Sequence, residues 1–421
     1  MDRTQSIKTS LLRATVAAAA CLAGTWAPNA AHAADLGTGL TQAFHAAWAR
    51  QPEALALQTR RDAARAQTQA ARAWTPEPAA LEISKQTDRL HHNQGAREVE
   101  VGIAVPLWLP GERSRSAALA AAASAATESR ATAAQLRLAA EVREAWWQWQ
   151  RARIEAASAR EQLDNTQSLA TDVARRTKAG DLARADQHQA DAAVASAEAH
   201  LAQTEAALVA AQLQLRALTG AAPATTGDAA VFAEPDPGAS PADPSTHAAL
   251  QALQDSAAVA ERTAALAAVQ SRANPELVLA TTRERGAYGE AARQTLTLAL
   301  RIPFGGGPRH EATATNARAE AAELQAHLAL ERGRVRAERE AAKARVDAAR
   351  IQLAATARRA QLARESRGFF DKSFRLGETD LPTRLRIEAE AAEAERQLAR
   401  TRIELAAAIS AWRQALGLLP Q

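Results

Sequence analysis

The chain has 421 residues, enough for two or three ordinary domains. Its formal net charge is only +4, and basic residues are interleaved with acidic ones throughout, which argues against a nucleic-acid partner. The composition is rich in Ala, Arg, Glu, Gln and Leu and only 4% aromatic, a profile typical of long helices rather than of a compact mixed core.

Residues 1–33 have the pattern of a secretory signal peptide. Arg3, Lys8 and Arg13 precede an apolar run over 14–23, and Ala31-His32-Ala33 offers a small-x-small cleavage site. An ordinary buried helix is the alternative. Cys21 is the only cysteine, so no internal disulfide can form, and its lipidation or its removal with the signal peptide are both open. No later run of 18 apolar residues predicts a transmembrane helix.

Four landmarks recur at one offset of 197 residues. They are the pairs Pro78 and Pro275, Pro106 and Pro303, Gly180 and Gly377, and Gly220 and Gly417. Such a long period excludes a solenoid and indicates a duplication. The sequence therefore predicts two homologous repeats, 34–220 and 248–417, joined by a Pro-rich linker over 221–247 and followed by a short tail, 418–421.

Each repeat has the same predicted order of elements. A helix comes first, then a strand pair, then a very long helix that ends at Gly180 or Gly377, as helix C-terminal glycines do, and then a shorter helix that ends at Gly220 or Gly417. The expected ranges are 40–73 and 246–273 for the first helix, 80–87 with 98–105 and 276–283 with 295–304 for the strands, and 113–178 and 309–376 for the long helix.

The shorter helices carry an apolar residue at every seventh position. The stripe comprises Val194, Leu201, Leu208 and Leu215 in the first repeat and Ala391, Leu398, Leu405 and Trp412 in the second. This period predicts coiled-coil packing. The long helices, about 65 residues each, would span on the order of 100 Å, so they must pack along their neighbours in an elongated assembly.

The strands alternate apolar and polar residues. Val99, Val101 and Ile103 share one face, and Glu98 and Glu100 share the other. A sheet half-buried on a soluble core is one interpretation. Membrane strands of about 9–11 residues are the other, with the apolar side chains toward lipid.

The membrane interpretation requires an oligomer, because four strands cannot close a barrel and open edges are not viable in lipid. Two chains would give eight strands with an interior filled by side chains. Three chains would give twelve strands, enough for an aqueous pore.

With these features the chain resembles the TolC-type outer-membrane efflux channels. The resemblance rests on the two-fold repeat, the hairpin-to-long-helix order, the junctions P-L-W-L-P-G-E-R and I-P-F-G-G-G-P-R, and the helix breaks K-A-G-D-L-A-R-A-D and R-L-G-E-T-D-L-P-T. It covers about residues 40–417. It implies a mainly α fold in which four amphipathic strands per chain contribute to a trimeric twelve-stranded membrane β-barrel, set on a periplasmic α-barrel of long coiled-coil helices.

The resemblance also implies partners and a location. Such channels are homotrimers in the cell outer membrane, in contact with its lipid, with long helices in the periplasm. They dock through a periplasmic adaptor (membrane fusion) protein on an inner-membrane efflux pump of the resistance-nodulation-division type. No nucleic acid is expected.

The resemblance places the two helix breaks at the periplasmic tips, where the closed channel narrows, and puts Asp186 on an acidic position facing the constriction. The second repeat departs from that pattern, with Thr383 and Arg386 where the family often has acids. The candidate gate residues are Gly180, Asp181, Arg184, Asp186, Arg375, Gly377, Glu378, Asp380 and Arg384.

We hypothesise that Arg184, Arg375 and Arg384 pair with the acids among these residues and lock the closed state. Helix capping is the alternative role for the acids, because Asp181 or Glu378 near a helix N-terminus is favourable on dipole grounds alone.

The strand-to-helix junctions are the second set of candidate residues. We expect a barrel strand to turn into a periplasmic helix at each of them, at Pro106, Pro110 and Gly111 in the first repeat and at Pro303, Gly305, Gly306 and Gly307 in the second. A phosphate-binding loop is the alternative for the three glycines, but the Lys-Ser/Thr pair of such loops does not follow them.

No residue pattern points to catalysis, a cofactor or a metal site, so we do not expect an enzyme. His91-His92, in a predicted outer loop, is the one adjacent histidine pair, with few acids nearby. Trp146 and Trp149 continue a stripe with Leu138 and Val142, which favours helix packing over a binding platform.

The predicted function is a passive outer-membrane conduit of a tripartite exporter. The P-L-W-L-P-G-E-R junction and the short C-terminal tail resemble most the branch of the family that serves heavy-metal cation exporters of the cobalt-zinc-cadmium type. Export of drugs and other organic compounds is the main alternative. A periplasmic helical adaptor or scaffold, and a secreted coiled-coil structural protein, fit less well, because neither needs a repeated pair of amphipathic strands.

Overall fold

The structure is a computed structural model that describes residues 39–221, 233–238, 246–305 and 307–421. The predicted signal peptide with Cys21, and Gly306, lie outside the described residues. The described chain contains, in order, α1 (Gly39–Trp48), α2 (Pro52–Ala71), β1 (Ala80–Thr87), β2 (Arg97–Pro106), α3 (Glu112–Ala179), α4 (Arg184–Thr219), α5 (Ala248–Ala267), β3 (Glu276–Arg285), β4 (Arg293–Arg301), α6 (Gly307–Arg375) and α7 (Leu381–Ala415).

The first helix of each repeat differs from its prediction. A single helix over 40–73 is wrong, because the chain breaks between α1 and α2 at Pro52. Proline lacks the amide N–H that would continue the helix, and it drives the preceding Gln51 into an extended conformation, with φ −70° and ψ 136°. The helix expected over 246–273 is shorter, since α5 ends at Ala267, well before Pro275.

The long helices agree with prediction to within two residues at each end. Gly180 and Gly377 each follow the helix with positive φ, at 88° and 79°. At both positions the glycine amide donates to the carbonyl three residues earlier, and the amide of the next residue donates to the carbonyl five residues earlier. This pair of hydrogen bonds is the Schellman motif. No helix within the described ranges is both long enough and apolar enough to cross a membrane.

The strands form one antiparallel sheet in the order β1-β2-β3-β4. Both hairpins come from consecutive strands, and β2 pairs with β3 across the two repeats. The last strand was predicted over 295–304 but lies at Arg293–Arg301. Pro303 has no N–H for a ladder hydrogen bond, so the pairing ends before it.

The helices pack side by side along their length. α3 contacts α4, α5, α2 and α7, and α6 contacts α5 and α7. The largest apolar cluster gathers Trp146 and Trp149 with Leu138 and Val142, which confirms the prediction that this stripe serves helix packing. The two indole rings meet edge to face at 5.0 Å between centroids.

Each shorter helix packs through two stripes of residues, and the sequence analysis predicted one of them. Leu215, Ala391 and Leu398 of the predicted stripe are buried. A second stripe runs four residues ahead of it and is also buried, at Ala190, Ala197 and Thr204 in α4 and at Ile387, Ala394 and Thr401 in α7. Together the stripes make an a/d seam. The second stripe was missed because most of its members are small.

Candidate functional site

The sheet separates apolar from polar side chains. Leu81 lies opposite Ile103, which lies opposite Leu279, which lies opposite Leu298, so one apolar row crosses all four strands. Together with the rows beside it this is the apolar face, whose apolar members are Leu81, Ile83, Val99, Val101, Ile103, Val105, Leu277, Leu279, Leu296, Leu298 and Leu300.

The opposite surface of the sheet is the polar face. It carries small residues and the polar side chains of Glu82, Ser84, Gln86, Glu98, Glu100, Glu276, Thr282, Glu284, Arg293, Thr295, Thr297 and Arg301.

Exposure of the two faces is the reverse of that in a soluble protein. On the apolar face Leu81 is 64% and Leu296 75% exposed, whereas on the polar face Ala104 and Ala280 are buried. A Cβ added to Gly102 would lie 3.1 Å from the Cβ of Ala280, so the strands approach closely on the polar side. This pattern of exposure matches membrane strands with the apolar face outward and does not match a sheet half-buried on a soluble core.

Both edges of the sheet are open within one chain. Every residue of β1 and of β4 is exposed, and among the described residues each of these strands pairs on one side only. An open edge presents a row of unpaired N–H and C=O groups, which hydrocarbon cannot satisfy. In hydrocarbon, such a sheet would need further strands at both edges.

The first junction is organised around one buried carboxylate. Glu112, 2% exposed, accepts hydrogen bonds at Oε2 from the Leu109 amide at 2.9 Å and from Asn274 Nδ2 at 2.8 Å. Its Oε1 accepts from Gln270 Nε2 at 2.8 Å. Gly111, with φ 80°, makes the turn that brings Glu112 back toward Leu109. Because Gln270 and Asn274 belong to the second repeat, Glu112 ties the repeats together at the base of the sheet.

The other predicted junction residues flank these turns. Pro106 ends β2, and Pro110 precedes Gly111. In the second repeat Gly305 has φ 94° and Gly307 opens α6 with φ 35°, so this stretch uses backbone conformations that favour glycine.

The first tip lies between α3 and α4. Asp186 Oδ2 accepts a hydrogen bond from the Ala183 amide at 3.0 Å, so Asp186 has the capping role that the sequence left as an alternative. Asp181 and Arg184 are exposed, and neither forms an ion pair with any residue that the structure describes. Both side chains are available to other molecules.

The second tip lies between α6 and α7. Asp380 is the N-cap of α7, and its Oδ1 accepts from the Thr383 amide at 3.2 Å. Hydrogen bonding to Thr383, chiefly from its side chain, holds the pKa of Asp380 below its usual value. Glu378 Oε2 lies 3.5 Å from Ser373 Oγ.

The two tips carry complementary halves of a capping box. In the full motif the N-cap side chain bonds the N3 amide, and the N3 side chain bonds the N-cap amide. Ala183 and Asp380 are equivalent at the offset of 197, as are Asp186 and Thr383. The first tip therefore keeps the N3 half and the second keeps the N-cap half, which accounts for Thr383 at the second tip.

The arginines of the second tip do not pair with the acids that we hypothesised. Within the chain, Arg384 Nη2 lies 2.7 Å from Asp371 Oδ1, and Arg375 also pairs with Asp371. The guanidinium carbons of Arg384 and Arg176 lie 5.1 and 4.8 Å from the ring centroid of Phe374, which is 2% exposed. The two tips are thus joined through one aromatic ring between two cations.

The sequence analysis missed Asp371, Phe374 and Arg176. One signal was present: three of the six phenylalanines of this aromatic-poor chain fall within residues 369–374, directly before the second helix break. Their contact with Arg176 had no local signal, because the two residues are 198 positions apart.

A buried ion-pair cluster fastens the inter-repeat linker. Glu234, whose side chain is fully buried, receives Arg143 Nη2 at 2.7 Å and Nε at 2.9 Å, and Arg413 Nε at 3.2 Å. Ser410 also donates to it. Burial lowers the pKa of Arg413, and the Glu234 carboxylate opposes that shift. Linker, α3 and α7 therefore meet at one carboxylate, which the sequence analysis did not single out.

Comparisons with known proteins agree with this architecture. Residues 43–221 match the family described as outer membrane efflux protein. No curated protein sequence matches the chain. Among solved structures, the outer membrane protein VceC of Vibrio cholerae is 18% identical with a TM-score of 0.70, covering 91% of this chain and 97% of VceC.

Two other solved structures are similar over the same extent. CusC is 16% identical with a TM-score of 0.75, covering 91% of this chain and 93% of CusC. The MtrE outer membrane channel of Neisseria gonorrhoeae, in its open state, is 16% identical with a TM-score of 0.71, covering 90% of this chain and 89% of MtrE. The chain therefore has the fold of these outer-membrane proteins, and its residues 43–221 match the outer membrane efflux protein family.

Proposed function

We propose that three copies of this chain form a channel through the outer membrane, as the exit component of a tripartite export system. The observation that carries the proposal is the sheet with an exposed apolar face, a polar face that is less exposed on the two central strands, and two open edges. Three sheets of four strands give a barrel of twelve, wide enough for water, whereas eight strands would be filled by side chains. The polar face then lines the pore and the apolar face meets lipid.

The helices extend this pore into the periplasm. α3 has 68 residues and α6 has 69, so each is about 100 Å long. Each begins within six residues of a sheet strand, α3 after β2 and α6 after β4. Three copies of the helical region, packed along the a/d seams and the α3 and α6 contacts, therefore continue the barrel as an α-helical conduit.

The tips are where we place the gate and the docking partner. Asp181 and Arg184 are exposed at the first tip. At the second tip, Asp371 pairs with Arg375 and Arg384 and holds the end of α6 against the start of α7. A periplasmic adaptor protein would engage the exposed groups and link the channel to an inner-membrane pump of the resistance-nodulation-division type. The match of residues 43–221 to the outer membrane efflux protein family supports this assignment.

We further propose heavy-metal cations as the cargo. Within the four strands the polar face carries five carboxylates against two guanidinium groups, a net charge of −3 per chain, and one of the arginines, Arg301, pairs with Glu276 at 3.3 Å. A pore lined by negative charge concentrates cations and repels anions. The pump selects the cargo, so the channel needs no metal ligands of its own.

A planar bilayer tests the channel directly. We expect the purified full chain to insert as discrete conductance steps and to prefer cations in a salt gradient. Replacing Glu82, Glu98, Glu100 and Glu284 by Gln should move the reversal potential toward zero. The matched control replaces Lys85, Arg97 and Arg283 by Gln on the opposite face of the same strands and should leave selectivity unchanged. Absence of conductance steps would contradict the proposal.

A susceptibility profile tests the cargo. A deletion strain, with and without the gene restored, is exposed to zinc, cobalt, cadmium, nickel and copper salts and to dyes, detergents and antibiotics. Selective metal sensitivity that the gene rescues is the expected result. Sensitivity to the organic compounds alone would overturn the metal assignment and move the channel to drug export.

A further inference from the structure

The acidic residues of the strands are confined to one face of the sheet. All acidic residues of the four strands lie on the polar face, at Glu82, Glu98, Glu100, Glu276 and Glu284. The charged residues of the apolar face are all basic. We call them the basic band, which consists of Lys85, Arg97, Arg283 and Arg285.

The basic band occupies one end of the apolar face. Arg97 lies directly opposite Arg285, and Lys85 and Arg283 lie on either side of Val99 in the adjacent row of the same face. Both rows adjoin the turns that join the strands of each hairpin. The other end of this face, toward the helices, has only apolar side chains on the four strands. The band therefore borders the apolar rows at the end of the sheet remote from the helices.

These cations form no ion pair with a carboxylate among the residues that the structure describes. Like charges directly opposite each other on neighbouring strands repel. Arg285 is partly compensated, since its Nε donates to the Gly95 carbonyl at 3.2 Å and its guanidinium stacks on Tyr288 at 5.6 Å. Lys85, Arg97 and Arg283 form no ion pair among the residues that the structure describes.

A neighbouring copy would not supply the missing anions. In a closed barrel β1 meets β4 of the next chain, and the apolar face of β4 carries Gln294 and leucines, with no carboxylate. Of the acids in the two hairpin turns, Asp88 accepts the Gly95 amide at 3.0 Å in its own turn, and Glu290 forms no ion pair with the basic band in the described part of the chain. The described strands and turns therefore pair no carboxylate with the basic band, which leaves the band open to anions from outside the protein.

We propose that the basic band binds the phosphate headgroups of anionic membrane lipid at the outer surface. This inference rests on the proposed membrane position of the sheet. Apolar rows bordered by Arg and Lys at one end match a layer of acyl chains capped by phosphates, since Arg binds phosphate in a bidentate manner and Lys as a point charge. Binding would fix the depth and orientation of the barrel in the outer leaflet.

Spin-labelled lipids test the proposal on the full chain reconstituted in phosphatidylcholine bilayers. The probes are spin-labelled phosphatidic acid and phosphatidylcholine, and electron paramagnetic resonance gives their relative association at the protein boundary. We expect the wild type to prefer phosphatidic acid about fivefold, as one well-placed cation at an anionic surface would give. The triple variant Lys85→Gln, Arg97→Gln, Arg283→Gln should lose that preference.

The matched control removes the same charges elsewhere, through Arg332→Gln, Arg336→Gln and Lys343→Gln, which are exposed on α6. It should keep the wild-type preference. An unchanged preference in the triple variant, or an equal loss in the control, would overturn the proposal.

Conductance of the same preparations separates this inference from the proposed function. Both variants should conduct as the wild type does, because the basic band lies outside the pore. A wild type that conducts without preferring phosphatidic acid contradicts only the lipid site. A wild type that does not conduct contradicts the channel.

Discussion

The two repeats share one order of elements, yet each is held by polar side chains at a different end. At the sheet end the first repeat has the buried Glu112, whose equivalent at the 197-residue offset is the exposed Arg309. At the tip end the second repeat has Asp371 with its two arginines, and the equivalent position is Ala174. Duplication kept the prolines and glycines that set the element boundaries, while the side chains that secure those boundaries diverged.

This division has a functional consequence. The sheet end of the first repeat is tied to the second repeat through Gln270 and Asn274, so the two hairpins share one base. The tip of the first repeat has exposed charges without partners in the described chain. The first tip is therefore held by fewer contacts than the sheet end. The predictions below test how the two ends and the two repeats differ.

The largest effect is expected at the linker cluster that joins the repeats. Glu234→Ala leaves Arg143 and Arg413 buried together without a countercharge, which should lower the free energy of unfolding by about 3–5 kcal/mol. The control is Asp236→Ala, two residues along, whose exposed pair with Arg350 should be worth less than about 1 kcal/mol. Urea denaturation followed by circular dichroism measures both, and equal losses would contradict the account.

The sheet end gives the next largest effect. Glu112→Ala removes the acceptor of three hydrogen bonds, one buried and two part-buried, and should cost about 3 kcal/mol. Arg309→Ala, at the equivalent position of the second repeat, should change the free energy of unfolding by no more than about 0.5 kcal/mol. If the two substitutions cost the same, the repeats are not held differently at this end.

At the tips the expected difference is the reverse: the second repeat, not the first, has the stabilising ion pairs. Asp371→Asn weakens the pairs with Arg375 and Arg384, so amide hydrogen exchange over 370–385 should accelerate about fivefold, the change expected for roughly 1 kcal/mol. Asp172→Asn, which disrupts an exposed pair with Arg175 at the first tip, should leave exchange near Gly180 almost unchanged. Faster exchange at the first tip alone would contradict the conclusion that ion pairs hold the second tip and not the first.

The capping halves predict effects of equal size at the two tips. Asp186→Ala and Asp380→Ala each remove one hydrogen bond at a helix start and should each cost about 1 kcal/mol. Ala183→Ser supplies the missing N-cap half at the first tip and should stabilise α4 by about 0.5 kcal/mol. The measurement is thermal unfolding of the purified protein, and destabilisation by Ala183→Ser would contradict the complementary caps. Asp186→Ala with unchanged conductance and selectivity would exclude Asp186 from the gate.

The smallest effect is a pH dependence at His247, which lies at the start of α5. Burial lowers its pKa below the ordinary value of 6.5, and the positive charge of Arg339 adds to the shift. The unfolded chain therefore takes up a proton more readily than the folded one. Stability should be level above about pH 6.5, the ordinary value, and should fall as the pH drops from there toward the pKa of the folded state. His247→Gln should reduce that slope, whereas His188→Gln, at an exposed site, should not.

Much of the fold could be predicted because its signals are local. Pro106, Pro303, Gly180 and Gly377 act on the backbone at their own positions, so element order and the ends of the long helices follow from the sequence. The break at Pro52 was also readable, since the residue before proline avoids the helical conformation.

The rest depends on contacts between distant parts of the chain. Glu234 lies 91 residues from Arg143 and 179 from Arg413, and no pattern around it distinguishes it from the exposed Asp236. Likewise the hypothesis of tip ion pairs named the correct arginines, Arg375 and Arg384, but not their acid, because Asp371 lies inside α6 rather than near the break.

The central claim is that β1 of one chain pairs with β4 of the next to close a barrel of three copies. Ser84→Cys on β1 can be combined with Cys at Thr295, Thr297 or Ala299 on β4, all on the polar face. Within one chain these strands are three spacings apart, about 14 Å, too far for a disulfide. Oxidation of outer-membrane fractions should give covalent trimers for at least one pair and none for the single-cysteine controls. Protein that stays monomeric at all three positions, or that stops at dimers, would contradict the account.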